Sequence, residues 1–205
     1  MIEVYTGTPG SGKSYHLVSR IYATNKRRIP IISNVILDVK RLKHPDLYYF
    51  VDSFDMNENK ILSIAKEYYD STKKKLKEHS ILLVLDECQL FLNSRDFHDK
   101  ERKNWMHFFS IHRHLGFDIV MVTQSLTFID KQARLLAEFE VQHMHTGKIF
   151  MFRLFELLLL NHKIFLAKSF HIATKHRCSL DWVIGRKKIY QIYNTFQEFP
   201  VFLEK

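Results

Sequence analysis

The residues richest in chemistry lie near the start of the chain, in the run Gly7-Thr8-Pro9-Gly10-Ser11-Gly12-Lys13-Ser14. It satisfies the pattern GxxxxGK[ST] at every required position. Glycines let such a loop curl until successive N–H groups point at phosphate oxygens, and a helix starting at its end adds the positive end of a dipole. Lys13 can then reach the β and γ phosphates of ATP, and Ser14 can offer its hydroxyl to Mg²⁺. Tyr15 completes the candidate nucleotide contacts. A second set follows the apolar run Ile81-Leu82-Leu83-Val84-Leu85, which ends in Asp86-Glu87. Asp86 is expected to hold the magnesium through its water shell, and Glu87 to polarise the attacking water as general base. Water-splitting ATPases need a base there, whereas small-molecule kinases do not, so the pair points to ATP hydrolysis coupled to mechanical work. Gln124, after the apolar stretch Phe117 to Thr123, is expected to sense the γ-phosphate. Arg113, in His112-Arg113-His114, and Arg134 are candidates to meet transition-state charge, in the same chain or across a subunit interface. Basic side chains at a helix C-terminus also suit the helix dipole, which leaves Arg113 a second explanation.

Those residues need a scaffold that alternates strands and helices. Ile2 to Tyr5 reads as a buried strand, and Lys13 to about Asn25 as a helix with Leu17, Val18, Ile21 and Tyr22 on one face. Pro30 to Leu37 reads as a second strand. Ile61, Ile64, Ala65 and Tyr68 mark a second helix, expected to continue into Lys73 to Lys77. Ile81 to Leu85, apolar at every position, fits a strand buried on both faces of a parallel sheet. Trp105, Phe108, Phe109, His112 and Leu115 stripe a helix closed by Gly116, and a short helix is expected after Asp130. The alternation predicts an α/β fold with a mostly parallel central sheet. The glycine-rich loop makes it a P-loop NTPase, and Gln124 at the end of its strand resembles the polar residue of the additional-strand type. Residues 1–150 form the expected ATPase core. Residues 151–205 are a C-terminal extension of the same domain, with strands or a small appendage at Ile149 to Phe155, Ile164 to Phe170 and Ile189 to Phe196.

Composition narrows the classes further. The 205 residues are 46% hydrophobic and 26% charged, enough to bury a core, so global disorder is excluded. The net charge of +9 favours acidic partners such as nucleic acid, anionic lipid or phosphate ligands. Cys88 and Cys178 cannot build a disulfide framework, which indicates a reducing setting. No signal peptide is legible. The most apolar run, Ile149 to Leu160, is interrupted by Arg153 and Glu156 and falls short of the roughly 20 residues of a membrane helix.

The GTPGSGKS loop, LDECQLF, HRHLGFDIVMVTQ, Ile129-Asp130 with Arg134, and the late segment Ile189-Tyr190-Gln191-Ile192-Tyr193-Asn194-Thr195 together resemble the zonular occludens toxin (Zot) family. That family includes the gene I assembly ATPases of filamentous phages. The likeness is strongest over Met1 to Ser14 and Ile81 to Arg134, and weak between Ile32 and Ser80. It implies a motor on the cytoplasmic face of the host bacterial inner membrane that hydrolyses ATP to drive virion assembly and extrusion. Its implied partners are phage coat protein, the virion containing single-stranded DNA, and further copies of itself, as a homo-oligomer and possibly a ring. Family members continue into a membrane helix, so the chain is expected to be the cytoplasmic portion, or to borrow its anchor from a partner. A DNA-translocating or packaging ATPase of the FtsK/HerA type is the alternative, and a nucleotide-switched scaffold a third class.

Overall fold

A computed structural model describes residues 1–73, 75–92, 99–146 and 163–193. Eight strands form one sheet: β1 (Ile2–Thr6), β2 (Ile31–Ser33), β3 (Tyr48–Phe50), β4 (Ile81–Leu85), β5 (Phe117–Val122), β6 (Phe139–His145), β7 (Ile164–His171) and β8 (Arg177–Ile184). Their order is β3-β2-β4-β5-β1-β6-β7-β8. The first six in that order run parallel, while β7 and β8 continue antiparallel from β6. The described helices are α1 (Lys13–Lys26), α2 (Glu58–Thr72), α3 (Asp99–Ile111), α4 (Lys131–Leu136) and the one-turn α5 (Lys187–Tyr190).

The strand carrying Asp86 and Glu87 explains the architecture. All five residues of β4 are buried, because helices cover both faces of the sheet. Ile81, Leu83 and Leu85 join a core with Ile61, Trp105, Phe108 and Phe109 on the α2–α3 side. Leu82 and Val84 join Leu17, Val18 and Ile21 on the α1 side. Each such fully buried aliphatic side chain contributes about 1.5–3 kcal/mol relative to exposure. Strand β5 lies between β1 and β4, with Leu83 beside Ile119 and Ile2 beside the same residue from the other flank. This inserted strand is the additional-strand arrangement that the sequence predicts. It places the end of β5 between the glycine-rich loop and Asp86.

Several boundaries differ from the sequence reading. Helix α2 stops at Thr72, where Lys73 takes a left-handed conformation (φ 51°), so the helix does not continue into the lysine run. Helix α3 ends at Ile111, and residues 112–115 turn back towards β5. Gly116 closes that turn at φ 77°, and an added Cβ would lie 2.6 Å from the Lys77 carbonyl oxygen. Ile189 to Tyr193 is not a strand. Ile189, on a one-turn helix, and Ile192, in the turn after it, are both buried in the core on the α1 side. The expected strand at Ile164 to Phe170 is β7, whereas β3, β6 and β8 have no counterpart in the sequence reading. The run Ile149 to Phe155 and residues after Tyr193 lie outside the described residues. No helix among the described residues is long and apolar enough to cross a membrane.

Candidate functional site

Strand β1 runs straight into the glycine-rich loop, and the loop straight into α1. Gly7 adopts φ 141°, Gly10 φ 74° and Gly12 φ 96°, all in the region that favours glycine. At Gly7 a Cβ would lie 2.6 Å from the His143 carbonyl oxygen, and at Gly12 it would meet the Phe165 ring at 2.4 Å. The loop therefore closes only with glycine at these two positions. The first helical bond of α1 runs from the His16 N–H to the Gly12 carbonyl at 2.9 Å. The preceding N–H groups of Gly12, Lys13, Ser14 and Tyr15 belong to the turn that a helix leaves without i−4 partners, the usual anion cradle.

Lys13 bends back over this cradle. Its amino group donates to the Gly7 carbonyl at 2.7 Å and to the Thr8 carbonyl at 3.2 Å. Burial lowers its pKa, and the carboxylates of Glu87 and Asp86 oppose that shift, so both lie within electrostatic reach of the amino group. The buried Ser11 hydroxyl has no hydrogen-bond partner, an orphan polar atom inside the loop. Asp86 follows the end of β4. Its backbone N–H donates to Asn34 Oδ1 at 2.7 Å, and Asn34 Nδ2 donates to its carbonyl at 2.8 Å. Glu87 is left-handed (φ 47°), its N–H bonds Asp86 Oδ1 at 3.0 Å, and its carboxylate accepts from Gln89. Gln124 is exposed, and its carbonyl accepts the Gly7 N–H at 3.3 Å. The structure thus brings Gly7 to Tyr15, Asp86, Glu87 and Gln124 to one edge of the sheet, the C-terminal ends of β1, β4 and β5.

A neutral scaffold supports the loop from behind. His16 Nδ1 and His143 Nε2 lie 2.8 Å apart, and His143 Nδ1 lies 3.2 Å from the Thr6 carbonyl. Tyr5 packs on both rings, at 5.0 and 4.9 Å between centroids. Burial pushes the pKa of His16 down to about 4 and that of His143 to about 3, so the pair is uncharged at neutral pH. A cleft of about 520 Å³ opens beside it, lined by the loop, Gln124, Glu140 and Gln142. Thr6 Oγ1 donates to Glu140 at 2.7 Å.

The comparisons with known proteins fit this geometry. A family model described as zonular occludens toxin (Zot) matches residues 1–190. The chain belongs to the Zot family. It is 30% identical over 211 aligned positions to the Gene 1 protein of Enterobacteria phage M13, covering 95% of this chain and 59% of that protein. The chain spans about half the length of the curated relatives it matches. The N-terminal domain of zonular occludens toxin from Neisseria meningitidis is similar in fold, with a TM-score of 0.50 and 23% identity over 94% of this chain and 98% of that one. The genome packaging NTPase B204 from Sulfolobus turreted icosahedral virus 2, in complex with ATP-gammaS, superposes with a TM-score of 0.54 and 15% identity, over 90% and 97% of the two chains. At that identity the likeness concerns fold alone, and the fold is that of P-loop NTPases.

The two arginines of this Zot-family chain separate. Arg113 lies at the opposite edge of the sheet from the loop, just before β5 begins, and donates to Glu138 at 2.7 Å. As a candidate to meet transition-state charge it is therefore misplaced within its own chain, because the turn after α3 returns the chain to the N-terminal ends of the strands. Arg134 sits in the last turn of α4 and lines a second cleft with Leu126, Glu140 and Gln142, which also line the loop cleft. Its Nε is buried without a hydrogen-bond partner. Asp130 caps α4, accepting from the Gln132 N–H at 2.8 Å, and pairs with Arg102 at 3.2 Å. Asn34, His16 and His143 were missed by sequence reasoning. Asn34 had a signal, as the polar residue directly after the apolar β2; the histidine pair had none, because β6 was not legible.

Proposed function

We propose that this Zot-family domain binds ATP with Mg²⁺, hydrolyses it, and uses the energy to drive filamentous virion assembly and extrusion at the host inner membrane. The observation that carries the reading is the loop whose two glycines admit no Cβ, with Lys13 folded across it and the Asp86–Glu87 strand end within its electrostatic reach. Lys13 would exchange its carbonyl partners for the β and γ phosphates, and the loop N–H groups would hold the remaining oxygens. Ser14 and Asp86 would hold Mg²⁺, which typically takes one or two protein ligands beside phosphate and water and neutralises charge on the phosphate oxygens. Asn34 fixes the backbone of Asp86 from both sides. Glu87 would accept the proton of the attacking water, with Gln124 sensing the γ-phosphate from the intervening strand. Arg134 would act across a subunit interface of a homo-oligomer, possibly a ring.

The M13 likeness supports phage coat protein and the exiting single-stranded DNA as partners on the cytoplasmic face of the membrane. The fold shared with a genome packaging NTPase supports the second reading, a DNA-translocating ATPase. ATP turnover by the purified protein decides between them. Stimulation by coat peptide or liposomes and indifference to DNA support the assembly motor. Stimulation by DNA alone overturns it in favour of the pump, and tight ATP binding without turnover in favour of a scaffold.

A further inference from the structure

The late tyrosine segment flanks the loop on the side away from Gln124. A cavity of about 540 Å³ opens there, lined on one wall by the loop from Pro9 to Tyr15 and on the other by His145, Lys163, Phe165, Tyr190 and Tyr193. Lys13 and Ser14 line this cavity and not the cleft on the Gln124 side. Its far wall is built by a specific hinge of bonds. The Tyr15 hydroxyl donates to the Ile184 carbonyl at 3.1 Å and accepts the Arg186 N–H at 2.7 Å. Gly185, between them, permits this approach: a Cβ there would stand 2.8 Å from the Tyr190 hydroxyl and 3.0 Å from the Lys163 carbonyl oxygen. The Tyr190 ring lies 4.7 Å from that of Tyr15, and the Phe165 ring 5.8 Å from it.

The packing of this segment is carried chiefly by two isoleucines, with Tyr193 partly buried against the same core. Ile189 and Ile192 are 5% and 1% exposed and fill the α1 core, and the Ile192 carbonyl accepts the Asp38 N–H at 2.9 Å. Tyr190, by contrast, is 40% exposed at the mouth of the cavity. Aromatic rings that line a cavity beside a phosphate cradle and stay partly exposed suit one ligand part, a flat heterocycle attached to the phosphates. No carboxylate or carboxamide lines the cavity among the described residues, so a base here is held by its faces. We infer that this cavity is the nucleoside subsite, with Tyr193 and Tyr190 stacking a purine base while the loop holds its triphosphate. The inference rests on the reading of the loop as a phosphate site, and it gives the β8–α5 segment a role in binding.

The test compares ATP with inorganic tripolyphosphate, which lacks the base, by calorimetry in Mg²⁺ buffer. Tyr193→Ala is expected to weaken ATP binding roughly 5- to 100-fold, the range for loss of one base–aromatic stack, and to leave tripolyphosphate binding unchanged. Tyr193→Phe, which keeps the ring, is expected to rescue ATP binding. Unchanged ATP affinity in Tyr193→Ala, with ATP and tripolyphosphate both weakened in Lys13→Ala, overturns the base subsite and leaves the loop reading standing. A wild-type chain that binds neither compound overturns both. Photocrosslinking of the unmodified protein with 8-azido-ATP needs no variant that folds. Label on Tyr190, Tyr193 or Lys163 supports the subsite, and label confined to the Gln124 side contradicts it.

Discussion

The two edges of the parallel sheet both carry charged groups and treat them in different ways. At the N-terminal edge the polar groups are matched: Arg113 pairs with Glu138 at 2.7 Å, and His79 hydrogen-bonds Asp118 at 2.8 Å. Burial there raises the Glu138 pKa, but the Arg113 bond and the positive charges of the amino terminus and Arg113 together outweigh it and hold the carboxyl below its usual range. At the C-terminal edge the Lys13 ammonium rests on two neutral carbonyls, and Ser11 keeps a buried hydroxyl unpartnered. A paired charge is settled in the fold and has little left for a ligand. A charge braced by carbonyls, with the Asp86 and Glu87 carboxylates acting on it through space, keeps attraction for a phosphate, and this distinguishes a site from a surface.

That contrast breaks most visibly at the arginines. Arg134→Ala is expected to lower ATP turnover by roughly 10³–10⁵, the usual contribution of an arginine finger, while Arg113→Ala, which removes one exposed ion pair, leaves turnover unaffected. Mixing Arg134→Ala with Glu87→Gln protein should restore activity, since each supplies what the other lacks. No recovery on mixing, or full activity of Arg134→Ala alone, removes Arg134 from the role. Glu87→Gln by itself keeps the shape and loses the base, so hydrolysis should fall roughly 10²–10⁴ with ATP still bound. A wild-type rate in that variant places the base elsewhere.

The third prediction concerns the neutral scaffold behind the loop. Both His16 and His143 have folded pKa values depressed by burial, to about 4 and about 3, against an unfolded value of about 6.5. Between those values the unfolded chain binds protons that the folded chain does not. Stability from this pair is therefore complete above about pH 7, falls as pH drops below about 6.5, and keeps falling towards pH 4. From pH 7 to pH 5 the loss should be on the order of 2–4 kcal/mol, read by urea unfolding. A His16→Leu, His143→Leu double variant should flatten that dependence, and an identical acid slope in the two proteins excludes the pair as its cause.

How much of this was legible depends on whether the signal is local. The loop, α1 and β4 announce themselves, because glycine spacing, helical periodicity and an unbroken apolar run are properties of adjacent residues. The position of β5 between β1 and β4 followed from the motif chemistry of Gln124 more than from its own composition. β6 was hidden because His143 and His145 interrupt its apolar alternation, and β8 because most of its residues, Asp181 among them, are exposed and bury no apolar face. Tyr190 and Tyr193 were visible as a motif, but read as a strand, because Ile189 and Ile192 at i, i+3 bury one face of a turn too short to show a helical period. Arg113 was misplaced because a sequence shows that a residue precedes a strand, not which edge of the sheet that end occupies.

The central claim is that the C-terminal edge holds a triphosphate through the charge of Lys13. Its most direct test is the ATP dissociation constant of a folded Lys13→Ala protein, measured by calorimetry beside the wild type. Loss of one charge-assisted contact is worth roughly 1.5–3 kcal/mol, so affinity should weaken by about one to two orders of magnitude. An unchanged dissociation constant contradicts the phosphate-loop assignment, and with it the account of this edge as the site.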